Sequence, residues 1–370
     1  MSRLKIAILG SRGIPNHYGG FEQLAQFLSQ GLVEKGWDVT VYNSHRHPYK
    51  EKKWNEVSIV HCYDAEHWMG TAGQFIYDLN CIRHARKQGC DIVLFLGYTS
   101  SSIWRRWFPK KSIIISNMDG LEWKRSKYSG IVKRFLAHAE KLAVRYSDHL
   151  IGDSPVIRDY LKDKYQVDSC FIPYGAEQVA PLNEERLSMF NLTANEYFML
   201  MARMEPENNI DMILDGFCRS KTENKFLVIG NADNSYGKKM KEKYSADKRI
   251  VFAGAIYDPE SVHLLRMYCS LYFHGHSVGG TNPSLLEAMA DKAPIVAHDN
   301  PFNRAVLQQD AAYFRSTEEV LSIINDPLIP EQETKMVENN LSKINSKYNW
   351  PMIINEYHQF LNSCLTQQKA

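Results

Sequence analysis

The stretch HGHSVGGTNPSLLEAMADKAPIVA, residues 274–297, decides the fold of this 370-residue chain. It follows an apolar run with strand character (Leu271, Tyr272, Phe273), breaks into a loop containing Gly275, Gly279, Gly280 and Pro283, and then reads as a helix from Ser284. Ser284 as N-cap with Glu287 three residues on has the form of a capping box, and Leu285, Leu286, Ala288 and Met289 supply the apolar stripe behind it. Gly279 and Gly280 permit positive φ and a close approach to a ligand, while amides of the first helical turn would face the open side of the loop. Such an end suits a phosphate. Pro294 stops the helix and Ile295–Ala297 resumes a strand. The unit is therefore βαβ, with its loop at the carboxyl end of a strand, where open α/β sheets bind ligands. The same residues could equally start a helix that binds nothing, because capping boxes are common.

PSLLEAMADKAPIVA resembles the C-terminal-domain signature of the family 4 retaining glycosyltransferases. The resemblance implies that Glu287 holds the ribose of a nucleotide sugar and that the loop Gly280, Thr281, Asn282, Pro283 and Ser284 holds its diphosphate. The family pattern is Glu-x7-Glu, and its first Glu falls here on Gly279, so no carboxylate reaches the donor sugar from that position. GGTNPS is similar to the variant in a bacterial subgroup that includes β-1,4-rhamnosyltransferase-like enzymes of polysaccharide synthesis.

Length predicts two domains, each with its own core. Forty-four basic and 42 acidic residues leave a charge of +2, which gives no global field for nucleic acid. Seven scattered cysteines without a Cys-x-x-Cys pair fit reduced thiols in a cytoplasm. The chain starts on a strand with no signal segment and holds no run of about 18 apolar residues, so a soluble protein is expected.

Leu4–Leu9 has the continuous apolar character of a strand buried on both faces. It empties into GSRGIPNHYGGFEQL, and residues 21–34 follow as an amphipathic helix before the second strand, WDVTVYN. The loop is not Gly-x-Gly-x-x-Gly, and the second strand ends on Asn43 rather than an acidic residue, which argues against NAD. GSRGIP followed by YGGFE resembles the N-terminal loop of the same glycosyltransferases, which implies that Gly19 and Gly20 sit against the donor diphosphate. A long turn that binds nothing is the alternative.

Between Ser101 and Phe135 nine Lys or Arg residues interleave with Trp104, Trp107, Phe108 and Trp123. Cations beside large aromatics suit an anionic membrane surface, although a solvated basic face over core aromatics has the same composition. Within this region the loop after Ile113–Ile115 presents Asn117, Asp119 and Glu122. Asp119 stands where the wider family has a His. A carboxylate there can accept or orient the acceptor hydroxyl's proton, or the Asp-Gly pair can be a plain turn.

The second half alternates strands (YFMLMAR, KFLVIG, RIVFAG, SLYFHG) with helices at 211–218 and 260–267. Resemblance implies that Arg203, at the end of the first of these strands, binds the diphosphate together with a Lys whose place is taken by Asn208. The alternative for Arg203 is an ion pair with Glu205 or Glu207. FAGAIYD, residues 252–258, is similar to the piece that reads the nucleobase, with Ile256 or Tyr257 beside the ring. After Pro351 an amphipathic helix resembles the one that crosses back to the N-terminal domain in this family, and the last residues, QQKA, are expected to fray.

The expected fold is therefore α/β of GT-B type: an acceptor domain over residues 1–178 plus a crossing helix at 350–370, and a nucleotide-sugar domain over 179–349, facing across a cleft. The expected activity is retaining transfer of a sugar, rhamnose from dTDP-rhamnose being the one the resemblance points to, onto a saccharide acceptor that is lipid-linked. Asp119, Arg203 and Glu287 are the candidate catalytic residues. No metal or cofactor is expected beyond the donor, and the location is cytoplasmic, peripheral at the inner face of the cell membrane. An epimerase of the same fold and a non-catalytic partner are the rivals.

Overall fold

The computed structural model describes residues 3–17, 19–125 and 127–367. Tyr18 of the first glycine loop and most of the tail expected to fray lie outside them. The chain forms two compact units. One comprises Met1–Trp123, Gly130–Tyr174 and Trp350–Ala370, the other Lys124–Ser129 and Gly175–Asn349. The division thus comes at Tyr174/Gly175, slightly before the boundary expected after residue 178. The excursion Lys124–Ser129 joins the second unit, which sequence patterning did not anticipate.

The first unit runs β1 (Lys5–Leu9), α1 (Gly20–Glu34), β2 (Asp38–Ser44), β3 (Lys53–Trp54), β4 (Val57–Cys62), α2 (Glu66–Met69), α3 (Gly73–Gln88), β5 (Ile92–Phe95), β6 (Ile113–Asn117), α4 (Gly130–Tyr146), β7 (His149–Gly152), α5 (Pro155–Tyr165) and β8 (Cys170–Phe171). The strand order is β3-β4-β2-β1-β5-β6-β7-β8, parallel except for β3 against β4. β1 is buried from Ile6 to Leu9, as a parallel strand covered on both faces must be. Order reverses between β2 and β5 on either side of β1, so the loop after β1 opens at the switch point. Gly10 is required there: its φ is +95° and a Cβ would lie 3.1 Å from the Leu96 backbone nitrogen. Asn43, fully buried, accepts from Ile14 N at 3.0 Å and donates to Ile14 O at 2.7 Å, locking the same loop as a second backbone would.

The second unit contains β9 (Tyr197–Met201), α6 (Ile210–Arg219), β10 (Lys225–Ile229), α7 (Ser235–Lys243), β11 (Ile250–Gly254), α8 (Pro259–Met267), β12 (Leu271–His274), α9 (Pro283–Ala290), β13 (Ile295–His298), α10 (Pro301–Leu307), β14 (Ala312–Phe314), α11 (Thr317–Asn325) and α12 (Pro330–Lys347). Its sheet is all parallel in the order β11-β10-β9-β12-β13-β14. Phe198, Phe217, Phe226 and Phe273 fill the core with ring centroids 5.0–6.2 Å apart, mostly edge to face. α13 (Trp350–Gln367) closes the first unit against α1, with Phe27 stacked on Trp350 at 4.4 Å. Gly31 allows this approach, since a Cβ there would come within 2.4 Å of the Ile354 side chain.

Candidate active site

In the second unit the switch point lies between β9 and β12, and the loops leaving these two strands are stitched together. Asn209 Nδ2 donates to Gly275 O at 2.7 Å, and Ser277 donates to Glu207 O through both its amide, 3.0 Å, and its hydroxyl, 2.8 Å. Gly275 is needed because a Cβ would sit 2.0 Å from Asn208 O. Asn208 itself is buried, and its Nδ2 donates to Arg203 O at 2.7 Å. The residue expected at the diphosphate in place of a Lys thus shapes the Arg203 turn from within.

The start of α9 differs from the sequence expectation. Asn282, not Ser284, is the N-cap, because Pro283 follows it at the first helical position, where a preset φ and a missing N–H cost nothing. Ser284 donates to Asn282 Oδ1 through its amide, 3.0 Å, and its hydroxyl, 2.8 Å, and Leu285 N bonds Asn282 O at 3.1 Å. The helix therefore satisfies part of its own first turn, which moves any anion toward the loop before it. Gly279, at φ +147° with open space where a Cβ would be, is the glycine that gives this loop its shape.

With the cap displaced, Glu287 falls in the second turn and cannot complete a capping box. Its Oε2 instead accepts from Arg266 Nη2 at 2.5 Å. Arg266 is buried on α8, its Nη1 donating to Asp291 Oδ2 at 3.1 Å, and His263 Nδ1 lies 2.7 Å from the other oxygen of Asp291. Burial opposes the Arg266 charge, but Glu287, Tyr272 and Asp291 outweigh it and raise its pKa further. Sequence reading missed Arg266, although it stands four residues after Val262 and three before Cys269, both buried, on a helical face where a cation needs a partner.

Arg203 is exposed and, among the described residues, its guanidinium has no ion-pair or hydrogen-bond partner. The carboxylates proposed for it are taken by the excursion: Lys127 Nζ lies 3.1 Å from Glu205, and Arg125 lies 3.6 Å from Glu207. The His276 ring is pushed down to about 3 by burial and then by the charges of Arg203 and Arg125. It stacks at 4.4 Å on His274, which is buried with neither ring nitrogen hydrogen-bonded among the described residues. Ile256 and Tyr257 follow β11, Ile256 part-buried and Tyr257 75% exposed, as a free ring face would be. Among the described residues no group of three or more His, Cys, Asp or Glu could hold a metal ion.

In the first unit Gly19 is the N-cap of α1, with extended backbone at φ −173°, and Gly20 is the first helical residue. Neither needs the left-handed region. Glu22, buried in the same first turn, accepts from Arg12 N at 2.7 Å and so brings a carboxylate to the end where an anion was expected. Asp119 is part-buried beside Tyr98, Tyr174 and Tyr357, whose hydroxyls are raised by burial and by its charge. Asn117, at the end of β6 just before this turn, is buried with both side-chain polar atoms unpaired among the described residues.

Comparison with known proteins follows these units. Residues 3–177 match a domain of unknown function (DUF1972), and residues 187–340 match the model described as glycosyl transferases group 1. The second unit thus resembles the group 1 glycosyltransferases over most of its length. The alpha-monoglucosyldiacylglycerol synthase of Streptococcus pneumoniae is 28% identical over 170 residues, 42% of this chain. The match spans only 38% of that protein's length. Sucrose-phosphate synthase from Thermosynechococcus elongatus superposes with a TM-score of 0.82 at 16% identity, covering 99% of this chain and all of that one. Anabaena HepE in complex with UDP and glucose gives 0.76 at 14% identity, covering 98% of this chain and all of that one. The fold is GT-B, two α/β domains in one chain.

The basic region of this GT-B protein divides. Trp104 donates from Nε1 to Phe75 O at 2.9 Å, Phe108 stacks on core Phe95, and Trp123 donates to buried Glu140 at 3.1 Å. Of its expected interfacial aromatics only Trp107 is exposed, at 43%. Arg106, Lys110 and Lys111 near it in sequence are exposed, whereas Lys124, Arg125 and Lys127 belong to the second unit. No helix among the described residues is long and apolar enough to cross a membrane.

Proposed function

We propose that this protein transfers a sugar from a nucleoside-diphosphate sugar to a saccharide acceptor with retention at the anomeric carbon. The observation that carries this reading is Arg203: an exposed guanidinium without a partner among the described residues, set by stitched loops at the switch point of a unit that matches group 1 glycosyltransferases. A guanidinium so placed is suited to two phosphate oxygens at once. In the reaction the bond from the anomeric carbon to the β-phosphate oxygen breaks and one to the acceptor oxygen forms. The acceptor's proton passes to the departing phosphate. Arg203 and the loop residues Gly280, Thr281 and Asn282 stabilise the charge that develops there, Arg125 adds a second cation in place of the family's Lys, and Glu287, aimed by Arg266, accepts from the ribose. Asp119 is assigned the acceptor hydroxyl.

For the donor, the GGTNPS variant supports dTDP-rhamnose, while the name of the pneumococcal relative and the ligand in HepE support UDP-glucose. That relative's name and the exposed basic surface around Trp107 both support a lipid-linked acceptor at an anionic membrane. The test is turnover of dTDP-rhamnose, UDP-glucose and GDP-mannose followed by mass spectrometry, with and without acceptor. Conversion of the donor without acceptor would favour an epimerase. Failure of all donors to bind, in protein shown to be folded, would favour a non-catalytic partner.

A further inference from the structure

The loops that follow β1, β2 and β4 in the first unit enclose an open pocket of about 370 Å³, within the range of roughly 300–1,000 Å³ common to small-molecule sites. Its walls are polar and built. Arg12 spans both carboxylate oxygens of Glu66, Nε at 3.1 Å and Nη2 at 2.5 Å. Buried Asp64 accepts from Ser44 Oγ at 2.8 Å and from Glu66 N at 2.7 Å. His47 and His17 meet edge to face at 4.3 Å on the wall. His47 is held neutral by burial and then by His17, which pushes its ring down to about 4.

Two features define the occupant. Arg12 and Arg46 balance Asp64 and Glu66, so the pocket offers donors and acceptors without a net field for either an anion or a cation. The pocket residue His67 joins an exposed aromatic group: its ring contacts Trp68 at 6.4 Å and His45 at 6.3 Å, and His45 stacks on Tyr63 at 5.0 Å. Trp68 is 65% exposed and Tyr63 48%, and the two are tied by a hydrogen bond of 3.1 Å from Trp68 Nε1 to Tyr63 OH. A sugar needs both features: hydroxyls that donate and accept together, and apolar C–H faces that lie flat on a ring.

We propose that this pocket binds a neutral saccharide, with Glu66, Asp64 and Arg12 reading hydroxyls and Trp68 under a sugar face. That the saccharide is the acceptor rests on the transferase reading above. The test is saturation-transfer NMR and calorimetry on the full chain with methyl α-glucoside, methyl α-rhamnoside, methyl α-galacturonide and inorganic phosphate, alongside UDP and dTDP. The neutral glycosides should bind, and Trp68→Ala and Glu66→Gln should each weaken them at least about tenfold, the loss of one good contact of about 1.4 kcal/mol, with nucleotide affinity unchanged. Trp68 is exposed, so its variant keeps the test valid if Glu66→Gln does not fold. Unchanged glycoside affinity in the Trp68 variant, or tighter binding of galacturonide or phosphate than of the neutral glycosides, overturns the proposal. Glycoside binding that obeys it, in a protein that binds and turns over no nucleotide sugar, upholds the saccharide site and removes only the transferase reading.

Discussion

Arg266, buried on α8, holds Glu287 on α9 through a 2.5 Å hydrogen bond while its other nitrogen engages Asp291 at 3.1 Å. One buried cation thus serves two carboxylates, of which Asp291 is wholly enclosed and Glu287 is 21% exposed at the mouth of the glycine loop. The pair fixes the direction of the carboxylate proposed to meet a ribose.

Removing Arg266 leaves buried Asp291 without its cation, with His263 as its remaining side-chain partner, so Arg266→Leu should destabilise the protein by about 3–5 kcal/mol. Arg266→Lys, which keeps the charge but loses the fork, should cost less. Glu287→Ala should weaken UDP or dTDP binding by about 1.5–3 kcal/mol, the scale of a charged hydrogen bond. Thermal melts and calorimetry on the variants check both. Unchanged nucleotide affinity in Glu287→Ala would take this residue out of the site.

Among the described residues the Arg203 guanidinium has no partner to lose, so Arg203→Ala should leave the melting temperature within a degree or so while reducing nucleotide affinity by about 1.5–3 kcal/mol. Arg203→Lys should recover part of it, since an ammonium replaces the charge but not the bidentate geometry. A melting temperature that falls as far as the affinity would assign Arg203 to the fold instead.

Stability should depend on pH with a sign set by buried groups. His47 and His276 stay neutral in the fold down to about 4 and about 3, against 6.5 when unfolded. Below 6.5 the unfolded chain binds the extra protons, so stability from these rings is complete above 6.5 and is lost as pH falls toward those lower values. Asp78 opposes them: burial raises its carboxyl from 3.8 to about 7, so the fold holds the extra proton in that window and loses stability as pH rises through it. His274, His84, His298 and His358 are lowered as well, against raised Glu333 and Glu356, so urea midpoints should fall from pH 6.5 to 4.5. His47→Gln should flatten that slope by up to about 1.4 kcal/mol per pH unit, and Asp78→Asn should steepen it. A profile indifferent to both substitutions contradicts this assignment.

At the surface, exposed Arg106, Trp107, Lys110 and Lys111 lie on the same unit as the first turn of α4, where Ile131 is 79% exposed and Val132 37%. The protein should cosediment with anionic but not neutral vesicles at low salt, and lose this as salt screens the charges over about 10 Å at 0.1 M. Replacing Arg105, Arg106, Lys110 and Lys111 with Ser should abolish binding without changing nucleotide affinity. Equal sedimentation of the quadruple variant would make the patch an ordinary solvated face.

What the sequence determined by itself is local in origin. Apolar runs such as Ile6–Leu9 and Tyr272–Phe273 can only be buried strands, glycines at 10 and 279 mark turns at their ends, and alternation with amphipathic helices leaves parallel α/β sheets as the outcome. Resemblance added the loop before α9, Arg203 and Glu287. Tertiary structure decided the rest, because it depends on residues far apart in the chain. Ser284 could not be excluded as N-cap until Asn282 took its amide and hydroxyl, and Asn208 became a support for Arg203 only when two loops met. The partners of Glu287, Glu205 and Glu207 come from 21, 78 and 82 positions away, at Arg266, Lys127 and Arg125. Trp104 and Trp123 looked interfacial in sequence, yet each found an acceptor within its own unit for its N–H, which composition cannot foretell. The pocket of Arg12, Asp64 and Glu66 lies partly in a stretch without a strong period or motif, and its chemistry exists only because three parallel strands end side by side.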